Sequence, residues 1–269
     1  MSRALAGAAL AVALACAPAL HAPRPVSQLG TPAASDGRSA ADLLAEARAE
    51  WSRRGDPEAV RRAEALFLAA SETDPGGPAG VEGLYGAIQA RIRRIERGGD
   101  AAARRALARS TVELGQLCEQ RAPASAACAF GLALALGEQA REDHATATEG
   151  LKLMVDRLKR AAAADPALDH AGPERVLALV LVRAPAWPLG PGDPEASLDA
   201  ARSAAARYPN HPPNQLALAE ALLANGDEAA GHAAARRAAE LARASAEPEA
   251  AEWATEAAAL AARPSQGGT

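Results

Sequence analysis

Leu218-Ala219-Glu220-Ala221-Leu222-Leu223-Ala224-Asn225-Gly226-Asp227 is the stretch on which the fold turns. It reads as the last turns of one helix, a tight stop at Asn225-Gly226, and an N-cap at Asp227 that opens another. Gly231, Ala235 and Ala238 then put small side chains on one face of the second helix. Two helices joined so closely must run antiparallel. Moving outward, Ser197, Ala201, Ala204 and Pro209 repeat the second-helix pattern 34 residues earlier or close the turn after it. Ala161 and Pro166 sit 43 residues before Ala204 and Pro209, the excess of nine matching an insertion from Trp187 to Glu195. Ala63, Phe67, Ala70 and Pro75 carry the same pattern near the start of the chain.

The rest of the chain is punctuated in the same way. Helices are predicted over Asp42 to Arg54, from Asp56-Pro57 to Asp74-Pro75, and over Pro78 to Arg97, Ala101 to Arg121 and Ala126 to Asp143. They continue over Glu149 to Ala164, Pro173 to Arg183, Pro194 to Tyr208, Pro212 to Asn225, Glu228 to Ala244 and Pro248 to Ala262. No stretch alternates with period two. The composition agrees: 77 of 269 residues are Ala and only 3% are aromatic, which disfavours sheets and suits closely approaching helices. With Ala219, Leu222 and Gly226 at its small, apolar and turn positions, the segment resembles a tetratricopeptide repeat. The expected fold is all-α: stacked antiparallel helical hairpins in a degenerate tetratricopeptide-like array over residues 40–263. The helix after Pro248, with Trp253 and Leu260, is its C-terminal cap. No such hairpin buries both faces alone, so neighbours must stack. An irregular Ala-rich bundle is the competing arrangement.

The N-terminus has the pattern of an exported chain. Arg3 precedes an uncharged apolar stretch, Ala4 to Ala15, too short to span a bilayer. Val12-Ala13-Leu14-Ala15-Cys16 resembles the lipobox of bacterial lipoproteins, with Ala13 where Leu is commonest. The resemblance implies a signal peptide over 1–15 and lipidation of Cys16. With no Asp after Cys16, it also implies attachment to the outer membrane facing the periplasm. Ordinary cleavage, for example after Ala15 or Ala22, and a chain kept in the cytosol are the other readings. Residues 16–39, rich in Pro, Ala, Gly, Ser and Thr, are expected to form a flexible tether, and 264–269 a disordered tail. The formal charge of −4 argues against a nucleic-acid partner.

A second resemblance covers most of the mature chain. Ala161 to Pro166, Ala171 to Ala178, Arg183 to Pro188, Gly192-Asp193, Tyr208-Pro209 and Asn214 to Glu220 resemble the T-component family associated with TRAP (tripartite ATP-independent periplasmic) transporters. Membership would imply a periplasmic lipoprotein of stacked hairpins that partners a substrate-binding protein, with an apolar or organic-acid ligand. A general interaction scaffold at the outer membrane, binding another envelope protein, is the alternative. A homo-oligomer is compatible with both.

Side chains suited to a specific role gather between Asp169 and Glu195. Arg175 could grip a carboxylate with two parallel hydrogen bonds, or pair with a neighbouring acid. Trp187, between Pro185 and Pro188, could offer a flat apolar face, or plug the top of the core. Arg183 and His170 are further candidates for ligand or partner contact. Cys118 and Cys128 flank the turn near Ala122 at similar heights on facing helices, placed either for a disulfide or as two buried thiols. The five His residues are separate in sequence, and no metal-ligand spacing, nucleophile motif or carboxylate dyad is present, so no catalysis, metal or cofactor is expected. Arg91, Arg93, Arg94, Arg97, Arg104 and Arg105 bracket one turn, as a solvated face or as a surface for acidic partners or lipid headgroups.

Overall fold

A computed structural model describes residues 24–144 and 147–263. Twelve helices follow in chain order among them. They are α1 (Val26–Leu29), α2 (Ala40–Ser52), α3 (Pro57–Thr73), α4 (Pro78–Glu96), α5 (Ala101–Arg121) and α6 (Ala126–Glu142). The remainder are α7 (Ala147–Ala164), α8 (Gly172–Arg183), α9 (Pro194–Arg207), α10 (Pro212–Ala224), α11 (Glu228–Arg243) and α12 (Ala250–Ala261). Local chemistry sets most starts. Asp56, Asp100, Ser125, Asp193 and Asp227 each cap a helix by accepting a hydrogen bond from a backbone N–H in its first turn, and Ser39 forms a capping box with Asp42. Pro57, Pro78, Pro194 and Pro212 occupy first-turn positions where no intrahelical donor is needed. Gly226 takes φ of 80° at the turn between α10 and α11, a conformation costly for any side chain.

From α2 onward each helix packs on the next, giving five hairpins, α2–α3 through α10–α11, with α12 as the cap. The first helices of successive hairpins also meet: α2 with α4, α4 with α6, α8 with α10, and α10 with α12. They form the inner layer, and the odd-numbered helices the outer one. Small residues set the spacing. A Cβ on Gly83 would stand 2.5 Å from the Phe67 carbonyl oxygen, and one on Gly115 2.8 Å from the Leu132 Cα, so α3–α4 and α5–α6 approach backbone to backbone. The core runs through the stack: Phe67, Leu84 and Ile88 first, then Phe130, Leu136 and Leu158, then Leu216, Ala235 and Leu260. Among the described residues no strand forms, and the lone parallel bridge joins Ala186 to Gly192.

Two expectations need correction. Residues 24–39 do not behave as tether. Val26 and Leu29 of α1 are buried in the core, Arg24 pairs with Glu113 on α5, and the Ala33 N–H donates to Ala65 O. Two apolar side chains four residues or fewer apart suffice to dock a short segment when a distant pocket accepts them. Arg91 is no part of a solvated face either. It is 1% exposed, bonded to Glu64 Oε1 and to the Leu29 and Ser110 carbonyls. The expected signal peptide, Cys16 and the tail lie outside the described residues.

Candidate functional site

Asp169, His170 and Ala171 have φ of 48°, 55° and 63°, three consecutive non-glycine residues in the left-handed region. Such backbone costs energy and persists only where its surroundings hold it. Here Arg175, one turn into α8, donates from Nη1 to the Asp169 and His170 carbonyls and from Nη2 to Asp169 Oδ2 at 2.9 Å. The fully buried Asn214 of α10 donates to His170 O at 3.0 Å, and its Oδ1 accepts from Arg175. The turn thereby aims His170 at His211. Their rings stack at 4.7 Å, Tyr208 lies edge-on to His170, and Trp253 lies edge-on to His211. Burial, the Arg175 charge and His170, in that order, lower the His211 pKa from 6.5 to about 3, so this imidazole is neutral at ordinary pH.

His170, His211 and Trp253 form one wall of a groove of about 900 Å³ on the inner layer. Trp51, Ile92 and Leu134 from the first three hairpins face it across the opening, and Gln89, Arg93 and Glu96 add polar groups. An adjoining cleft of about 670 Å³ shares Trp51 and Gln89 and is lined mainly by apolar groups, among them Phe67, Val81 and Leu168. The half-buried Tyr85 in its wall accepts from Gln89 through its hydroxyl, and desolvation holds its pKa well above the usual value. The ends of the array meet at the rim. Arg54 binds Glu249 through two hydrogen bonds at 2.8 and 2.9 Å and also pairs with Glu247, while Arg93 binds both oxygens of Glu252 at 2.8 and 3.1 Å. The buried Arg93 Nε has no acceptor among the described residues. Desolvation raises the Glu96 pKa against the pull of Arg141 and Arg93, although its side chain is 42% exposed.

Arg175 and His170 therefore share the groove, with Arg175 paired to the neighbouring Asp169. Arg183 does not join them. It pairs with Glu220, at 2.6 Å, and with Glu256. Trp187 neither plugs the core nor lines the groove. It is 86% exposed on the 184–193 loop beside Leu189, itself 73% exposed, because the loop closes on its own backbone: Gly190 N–H donates to Ala186 O and Gly192 N–H to Pro185 O. Cys118 and Cys128 are buried with Cα atoms 5.2 Å apart and sulfurs at bonding distance. No group of three or more His, Cys, Asp or Glu able to hold a metal exists among the described residues. Sequence reasoning missed Trp51, Arg54, Arg93, His211 and Glu249 as groove residues. Each looks ordinary locally, and only the curvature of the stack brings them together.

No family model matches the chain, and no curated protein matches it significantly. Among solved structures, it is similar to the crystal structure of a thermophilic TPR protein of Thermus thermophilus, with a TM-score of 0.60 at 19% identity over 82% of this chain and 98% of that one. The chain thus has the fold of a tetratricopeptide-type helical-repeat protein.

Proposed function

We propose that this chain is a non-catalytic binding scaffold that takes its partner on the inner face of the array. The observation that carries the reading is the groove of about 900 Å³ whose rim is bridged by Arg54 and Arg93 to the C-terminal cap. A strained, braced turn at its edge, with His170 and His211 stacked, is the kind of feature that binding sites retain. Aromatic walls with a few polar groups suit an apolar body carrying polar ends, such as a short peptide segment or an organic acid.

The finer reading is a lipoprotein anchored through Cys16 to the outer membrane, acting in the periplasm as an accessory of solute uptake and docking a substrate-binding protein. The lipobox-like start and the TRAP T-component-like segments around 161–220 support it. A general envelope scaffold without a transporter is the alternative, and the likeness to a TPR protein favours that broader role. Affinity purification from native envelopes with mass spectrometry separates them. A solute receptor captured by the chain and lost on His170→Ala/Trp253→Ala is the expected result. Recovery of only assembly or cell-wall factors moves the assignment to the scaffold, and recovery unaffected by that variant removes the groove as the site.

A further inference from the structure

Residues 24–30 determine where the chain leaves the domain. Arg24 grips Glu113 of α5 with two hydrogen bonds of 2.7 and 2.9 Å. Behind it Val26 and Leu29 are buried, and Arg91 donates to the Leu29 carbonyl. Only residues 17–23 separate Arg24 from Cys16. Seven residues reach at most about 25 Å when fully extended. A 21-residue helix such as α5 is about 31 Å long, so the leash is shorter than the helix beside which it starts. On the reading that Cys16 is lipidated, so short a connection would keep α5 near the bilayer.

The nearby surface is basic. Arg109 and Arg105 stand one and two turns before Glu113 on the same side of α5. Both are exposed, and neither has a carboxylate partner among the described residues. Next to them a cleft of about 710 Å³ is lined by Arg61, Arg94, Arg97 and Arg104, of which Arg61, Arg94 and Arg104 are paired with Glu58, Glu64 and Glu142. Arg97 there donates to the Arg54 and Gly55 carbonyls and forms no ion pair within 4.0 Å among the described residues.

We propose that the α5 face carrying Arg105 and Arg109, beside the Arg24–Glu113 pair, is a membrane-contact surface that takes anionic phospholipid headgroups. The inference rests on the reading that Cys16 is lipidated. The lipid brings the domain to the bilayer, the short leash selects the face, and the arginines hold it there. Each arginine near an anionic surface strengthens association about fivefold, and salt removes the gain.

The test uses the full chain reconstituted into vesicles of phosphatidylethanolamine and phosphatidylglycerol. A fluorophore is placed on Ala106→Cys beside the arginines or on Ala259→Cys in α12, and nitroxide lipids serve as quencher. Quenching at 106 but not at 259 is expected. R105E/R109E should reduce it several-fold while the chain still floats with the vesicles. Equal quenching at both positions, or none at 106 in a floating chain, overturns the proposal and gives the stripe to an acidic protein. The mass of the Cys16 peptide reports the anchor separately. If Cys16 carries no acyl group, the unacylated chain is read on phosphatidylglycerol vesicles. Quenching at 106 that disappears in about 1 M NaCl, where the Debye length is about 3 Å, supports the face, and no quenching overturns it.

Discussion

Arg91 is the largest fully buried side chain among the described residues, and its guanidinium ties three segments together. It meets Glu64 of α3 at 2.8 Å, the Ser110 carbonyl of α5 and the Leu29 carbonyl of the N-terminal segment. Arg91→Met fills similar space but leaves those acceptors without their donor. A loss of about 3 kcal/mol in denaturant unfolding is expected. Proteolytic cleavage before Ala40 should accelerate, and an unchanged digestion pattern would show that Val26 and Leu29 dock the segment unaided. His211 makes a different prediction. Its folded pKa of about 3 lies below the unfolded value near 6.5, so the unfolded chain takes up the proton first. The stability it contributes is complete above about pH 6.5 and is lost progressively as pH falls toward 3. The unfolding free energy of His211→Asn, followed from pH 7 to pH 4, should decline less steeply than that of the parent. Parallel curves would exclude this ring as a source of the slope.

Helix pairs depend on how closely their backbones approach. Gly83→Ala puts a Cβ 2.5 Å from Phe67 O and 2.9 Å from the Ser71 nitrogen, neither of which can rotate away. Overpacking outweighs the better helix propensity of Ala, and a net loss of about 1–2 kcal/mol is expected. Gly150→Ala on α7 meets nothing nearer than 3.8 Å and should be neutral or stabilising by up to about 1 kcal/mol. Thermal unfolding of the two variants checks the contrast, and similar shifts would refute the close-approach account. Most of this level was legible in the sequence, since Asp56, Asp100, Asp193 and Asp227 act on their own first turns. α1 was not, because the pocket for Val26 and Leu29 is built by helices far along the chain. His170 and His211 looked unrelated for the same reason: a braced left-handed turn, none of whose three positive-φ residues is glycine, brings their rings together. The 184–193 loop was recognisable as an insertion, but its inward backbone bonds, which turn Trp187 outward, were not.

The molecule as a whole is held closed across its inner face by charge. Arg54 and Arg93, on the first two hairpins, reach Glu247, Glu249 and Glu252 at the far end of the chain, with Gly55 and Pro248 alongside. No local pattern announces acids and arginines that meet across 159 to 195 residues of chain. Arg54 and Glu249 are 17% and 14% exposed and Arg93 10%, so these pairs are less screened by salt than surface pairs worth roughly 0.2–1 kcal/mol each, and removing one partner strands the other's charge. Spin labels at Ser52→Cys and Ala251→Cys should give a narrow distance distribution in the parent and a broad, longer one in Glu249→Arg. Identical distributions would mean that the ends are held by the stack alone. In an open stack of hairpins each unit touches only its neighbours, so units can be gained or lost at little cost. Here the first and last hold hands. One pair more or fewer would carry the glutamates past the arginines, so a change in the number of units must give up these end-to-end bonds.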